Sequence, residues 1–186
     1  MIESAALRAH SCAMKWIWLI VSLAALPLAG CKQNAPPSAP AAGDVNHEPT
    51  QAQPKLATIR LWIGAEEVKA EMALNSEQVR TGMMFRTNLD EMAGMIFVFT
   101  RPVQAEFWMK NCSLPLSCAY IDPQGAIVEI HDLKAQDTNT VVAASDNIQY
   151  VLEVNQGWFA RHHVTEGIFV RTERGTLGET FFGANR

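Results

Sequence analysis

From Leu56 to the C-terminus, apolar positions recur mainly every second residue, in short runs broken by Gly, Pro, Asn and Asp. That period belongs to strands rather than helices. Leu56 to Ile63 reads as a strand ending at Gly64, and Val68 to Ala73 as its partner across the turn Gly64-Ala65-Glu66. Asn75-Ser76 supplies cap residues for a short helix with Glu77 in its first turn, where a carboxylate suits the helix dipole. Val79, Met83 and Met84 give that helix an apolar face, and Gly82 marks a close contact or an early end. Gly94 to Phe99 is apolar on both faces, which predicts a central strand stopped by Arg101-Pro102.

Glu106 to Asn111 and Leu116 to Ile121 follow as strands, then the turn Asp122-Pro123-Gln124-Gly125 and a returning strand from Ala126 to His131. The polar stretch from Asp132 to Asn147 reads as a surface excursion. In the next strand Ile148, Tyr150, Leu152 and Val154 alternate with Gln149 and Glu153, which assigns the polar set to the solvent side. Gln156 to His163 reads as a helical turn and Ile168 to Arg171 as a last strand. The expected fold is mainly β, of the α+β kind: a compact rolled or barrel-like sheet of six to eight short strands with one or two short helices.

The front of the chain has a different pattern. Lys15 precedes an apolar run from Trp16 to Leu28 that closes on Leu28-Ala29-Gly30-Cys31. The run suits a signal h-region and is short for a membrane span. The closing tetrapeptide resembles the bacterial lipobox, which implies cleavage before Cys31 and a lipid on its thiol. Met14 begins a compact signal of its own. Residues 32–54 hold five of the nine prolines, too little apolar surface to fold, and so read as an extended tether. The expected organisation is therefore a signal peptide over residues 1–30, a lipidated Cys31 with its tether to residue 54, and a globular domain over 55–186. The resemblance to bacterial lipoproteins also implies a sorting rule: Lys32 stands where their inner-membrane retention signal would place Asp, so the expected address in a cell with two membranes is the outer one, facing the periplasm.

At 186 residues and 48% hydrophobic side chains the chain has room for one domain. Its net charge of −4 gives no basic footprint for a nucleic acid, so the expected partners are the membrane, through Cys31, and an unspecified ligand or protein.

Several pieces occur in order: Arg80 to Arg86 (RTGMMFR), Gly94 to Phe99 (GMIFVF), Phe107 to Asn111 (FWMKN), Pro115-Leu116, Tyr120 to Gly125 and Val151 to Gly157 (VLEVNQG). Together they resemble domain-of-unknown-function family 192, small bacterial and archaeal proteins often secreted or lipid-anchored. The resemblance implies a compact β-rich fold and brings no established activity, substrate or cofactor. Ser117 follows Pro115-Leu116 where that family usually shows Asp, which weakens any catalytic role at that place.

Candidate chemistry is sparse. Trp108, Lys110 and Asn111, with Arg86, form the most suggestive ligand-binding set, against the plainer reading of a Lys stem lying over a surface Trp. Glu129, His131 and Glu153 are candidates for an acid/base group, against solvent-side polar residues. No nucleophile motif accompanies them. Cys112 and Cys118 allow a disulfide across a Pro115 bend, two buried thiols, or a redox or metal role. Six of the eight Met residues fall between Met72 and Met109, which suits a core and, less well, Cu(I). No cofactor and no metal site are implied, and the adjacent His162 and His163 point apart. The function this supports is a lipid-anchored envelope module for binding or accessory work, with an envelope-directed enzyme or copper and thiol handling as alternatives. Replacing Cys31 by Ser is expected to release the chain from membranes on fractionation; unchanged membrane association contradicts the lipobox reading.

Overall fold

The computed structural model describes residues 48–183, so Cys31, the signal segment and most of the tether lie outside the described residues. The described strands are β1 (Thr58–Ile63), β2 (Glu66–Ala73), β3 (Ala93–Val103), β4 (Glu106–Phe107), β5 (Leu116–Ile121), β6 (Ile127–Leu133), β7 (Val141–Val142), β8 (Ile148–Asn155), β9 (Val170–Thr172) and β10 (Gly175–Thr176). Three short helices accompany them: α1 (Ser76–Thr81), α2 (Trp158–Arg161) and α3 (Leu177–Phe182). Eight strands form one sheet in the order β10-β9-β1-β2-β3-β8-β5-β6, while β4 and β7 pair separately as a ribbon. The sheet rolls far enough for Ala126 to bridge Phe169, with Ile127 N donating to Ile168 O at 3.0 Å, but it does not close into a barrel.

Pairing is antiparallel except between β2 and β3, which run parallel and are joined through α1. A parallel pair needs a crossover, and the sequence supplies its parts. Asn75 caps α1 by accepting from Gln78 N at 2.9 Å. Gly82 ends it at φ 47°, ψ −130°, a backbone that a side chain rarely adopts. A Cβ on Gly82 would also stand 3.3 Å from the Phe97 ring. Both readings of this glycine hold: it stops the helix and lets the turn settle on β3.

The central strands β5 and β8 are buried on both faces. One face carries Ile96, Leu152, Ala119 and Ile121 against α2 and α3, with Trp158 and Leu177 fully buried. The other carries Met95, Phe97, Val151, Cys118 and Tyr120 against Met83, Phe107, Met109 and Cys112. A sheet covered on both sides has no solvent face at its centre, and this decides where the site lies.

Three expectations change. β3 runs through Arg101-Pro102 to Val103, with its register to β8 broken between Val98 and Val103; Pro is tolerated because β2 has already ended at Ala73 and leaves that edge unpaired. Only Glu106–Phe107 of the expected Glu106–Asn111 strand is a strand, because the chain turns at Asn111 with φ 58°. The C-terminus adds β10 and α3, capped by a reciprocal Thr176–Glu179 box.

Gly94 holds β3 against β8 at the level of Glu153. An added Cβ there would stand 2.5 Å from the Glu153 carbonyl oxygen and 3.1 Å from Val154 Cγ1. Gly94→Ala is therefore expected to destabilise the domain by about 1–3 kcal/mol, read as a lower urea midpoint; an unchanged midpoint contradicts this packing.

Candidate functional site

The second face of the sheet holds a row of side chains in register across four strands. Met95 on β3 pairs with Glu153 on β8, Glu153 with Cys118 on β5, and Cys118 with His131 on β6. Glu153 therefore points into the core rather than to solvent, and it is 4% exposed. Its Oε2 is shielded from solvent and has no hydrogen-bond partner among the described residues.

Glu153 lines a cavity of about 280 Å³. The other walls come from α1 and its following turn (residues 79–84), from Phe97, Phe99 and Val103 of β3, from residues 104–110, and from Cys112 and Leu116. Phe97 and Phe107 meet edge to face at 4.9 Å. The thioethers of Met83, Met84 and Met109 belong to the same lining. The segments that carried the family resemblance, Arg80 to Arg86, Gly94 to Phe99 and Phe107 to Asn111, thus converge on one hollow.

Backbone bonds tie its two lips together. Phe85, itself at φ 61°, donates its N–H to Asn111 O at 2.8 Å, and Met109 N donates to Asp137 O at 2.8 Å. The ribbon of β4 and β7 is pinned from below, where the Tyr120 hydroxyl donates to Val141 O at 2.5 Å.

Burial governs the electrostatics. It raises the Glu153 carboxyl from an ordinary 4.5 to about 8, so the group is mostly neutral at pH 7. Burial, and then the charge of Glu153, pushes the Cys112 thiol up to about 11 and raises Cys118 further, for the same two reasons. A nucleophilic thiol needs the opposite shift. Both cysteines are free thiols; the bridge between them is not formed, and the buried-thiol alternative describes them.

The remaining candidates separate. Trp108, 43% exposed, stands at the rim, with Lys110 Nζ 5.3 Å from its ring centroid. Lys110 also pairs with Glu48 at 2.6 Å and holds that carboxyl below its usual range, mainly by hydrogen bonding. Both line the cavity, whereas Asn111 does not and serves as the left-handed turn residue. Arg86 is a strut: its guanidinium meets Glu71 Oε2 at 2.9 Å, the oxygen that also accepts from Leu56 N at 2.7 Å.

Glu129 and His131 do form a pair, at 3.0 Å, but neither lines the cavity with Glu153. The other oxygen of Glu129 accepts from Ala144 N at 2.9 Å and Ser145 N at 3.4 Å, which fixes the loop after β7. Ser117 bonds to Asp132 and accepts from Gly157 N at 2.8 Å, a structural role that joins β5 to the start of α2. His162 lies between Glu66, at 3.2 Å, and Glu91, at 3.4 Å. Among the described residues no three His, Cys, Asp or Glu side chains gather as a metal-binding group.

Sequence reasoning missed Phe97, Phe99, Ala105 and Phe107 as cavity walls. It also put Glu153 on the solvent side, because alternation tells which residues share a face and not whether that face is covered.

Comparison with known proteins places residues 59–172 in the family DUF192, described as "Uncharacterized ACR". No curated protein matches the chain. Among solved structures, one from Sinorhizobium meliloti, provisionally named a transcription regulator, is similar at TM-score 0.62 and 26% identity, covering 65% of this chain and 98% of that one. Another, a protein of unknown function from Novosphingobium aromaticivorans, is similar at TM-score 0.61 and 29% identity, covering 64% of this chain and 90% of that one.

The raised Glu153 sets a pH dependence. The folded state holds a proton that the unfolded chain, with an ordinary carboxyl, releases at lower pH. The stability linked to this group is full below about pH 4.5 and is lost as pH rises through about 8. Urea unfolding is expected to show stability falling by about 1.4 kcal/mol per pH unit between those limits, a slope that Glu153→Gln flattens. An equal slope in the variant contradicts the assignment.

Proposed function

The chain belongs to the DUF192 family of uncharacterised proteins, and we propose that its domain is a small-molecule-binding module held outside the cytoplasm by a lipid on Cys31. The observation that carries the binding reading is Glu153: a carboxyl with an unpartnered, shielded oxygen in the wall of an otherwise mostly apolar cavity. Leaving such a group unsatisfied is costly to the fold. Sites that bind small molecules have this composition, an apolar and aromatic lining with a few placed polar atoms. The volume of about 280 Å³ equals that of roughly nine waters of liquid, so the ligand is small or inserts only one end.

The envelope location rests on the order of Lys15, the apolar run and Leu28-Ala29-Gly30-Cys31. The tether returns to the domain before Lys55. The Gln53 amide donates to Gln78 O at 3.1 Å and Gly82 O at 2.9 Å, and Glu48 reaches Lys110 at the cavity rim. The membrane-proximal side of the chain therefore arrives beside the cavity mouth.

The alternatives have less support. An acid/base enzyme needs Glu129 and His131 to work with Glu153, yet Glu129 holds the loop after β7 and neither member of the pair lines the cavity. Thiol chemistry meets two cysteines whose ionisation is suppressed. A transcription-regulating role, the provisional name of one structural neighbour, gains no support from a net charge of −4.

Ligand-observed NMR of the full chain with a library of small polar-tipped aromatic and aliphatic fragments tests the binding reading. Fragments are expected to bind, to perturb Trp108 fluorescence, and to be displaced when Ala105, buried in the cavity wall, is replaced by Trp. Absence of hits, or hits unaffected by Ala105→Trp in a protein that still unfolds cooperatively, contradicts it.

A further inference from the structure

We infer that the cavity is selective for an organic cation, an ammonium group on a short apolar stem, which docks its charge against Glu153. The inference rests on the binding role proposed above and names the chemistry of the ligand.

Three observations lead to it. Glu153 sits on β8, a strand buried along nearly its whole length, between Met95 and Cys118, so it cannot swing out to find a partner. Among the described residues no cation offsets the burial of this carboxyl, and Lys110 at the rim is already held by Glu48 at 2.6 Å. The rest of the wall suits a cation. Phe97, Phe99, Phe107 and Trp108 line the cavity, and aromatic faces attract alkylammonium groups, more strongly when water is excluded.

The free site does not keep its carboxylate charged. The groups around Glu153 are Met95 from β3, Cys112 from the loop after β4, and Cys118 and Tyr120 from β5. The two thiols and the phenol, all raised by burial, stay neutral across the range of interest. Arg80, Glu106 and Lys110 stand at the rim. At neutral pH the carboxyl holds its proton; an arriving ammonium ion drives that proton into solvent and pairs with the carboxylate left behind. Binding of a cation is then linked to release of one proton, and affinity rises by about tenfold per pH unit below the carboxyl's own titration. A neutral hydrogen-bond acceptor would have the reverse preference, because it needs the protonated acid.

The test is isothermal titration of the full chain with n-hexylamine, 1-hexanol and hexanoate between pH 6 and 9, in buffers of different ionisation heat. The amine stays cationic throughout, since its amino group titrates near that of lysine, about 10.4. The expected result is at least about tenfold tighter binding of the amine than of the alcohol, with one proton released at pH 7. Glu153→Gln should remove both that advantage and the linked proton release. Three results overturn the inference: alcohol or hexanoate binding as tightly as the amine, amine binding without proton release, or amine binding that survives Glu153→Gln. If the alcohol binds and the amine has no advantage, the cavity remains a binding site and only its cation preference falls. If no probe binds, and the fragment library also finds nothing, the binding role falls with it.

Discussion

The structure depends on covering both faces of its central sheet. Strands β5 and β8 have no solvent side, so α2 and α3 close one face while the turn after α1, the β4–β7 ribbon and the loop to Cys112 close the other. The second cover is built from short, irregular pieces, and it leaves a hollow over β3 and β8. Into that hollow the period of β8 delivers a carboxyl. Replacing Glu153 by an apolar residue would make a more ordinary core, because burying an ionisable group without a partner opposes folding.

The supports of the hollow lie at backbone positions with little tolerance. Gly82 ends α1 against Phe97, Gly94 brings β3 within reach of the Glu153 carbonyl, and Phe85 and Asn111 adopt left-handed backbone where the two lips bond. The Glu129–His131 and Arg86–Glu71 pairs lie outside the lining of the cavity and anchor chain segments, although Arg86 Nε is also without a partner among the described residues. Glu153 is different because its carboxyl is rigidly placed in the cavity wall with Oε2 unanswered among the described residues.

Much of the frame could be read from the residues. Asp122-Pro123-Gln124-Gly125 specified its hairpin, Asn75 its helix cap, and the two-sided apolar run from Gly94 to Phe99 its central strand. The Thr176–Glu179 capping box was also legible as Thr-x-x-Glu, although its helix was not expected. The β4–β7 pairing was not legible, because two residues on each side carry no periodicity and their contact is made by chain far apart in sequence. The site was half legible. The motif segments around Met83, Phe97 and Trp108 stood out, but Glu153 looked like a surface residue until its strand acquired a second cover. A bridge between Cys112 and Cys118 was one of three open readings, and it depended on a bend at Pro115.

Everything functional follows from the state of one carboxyl in the ligand-free domain, and carbon-detected NMR of the carboxyl groups across pH 3 to 10 reads it directly. The account predicts that one side-chain carboxyl, absent from the spectrum of Glu153→Gln, titrates near pH 8. A Glu153 resonance that titrates in the ordinary range near 4.5 would mean that water or a counter-charge already satisfies it, and would contradict the account.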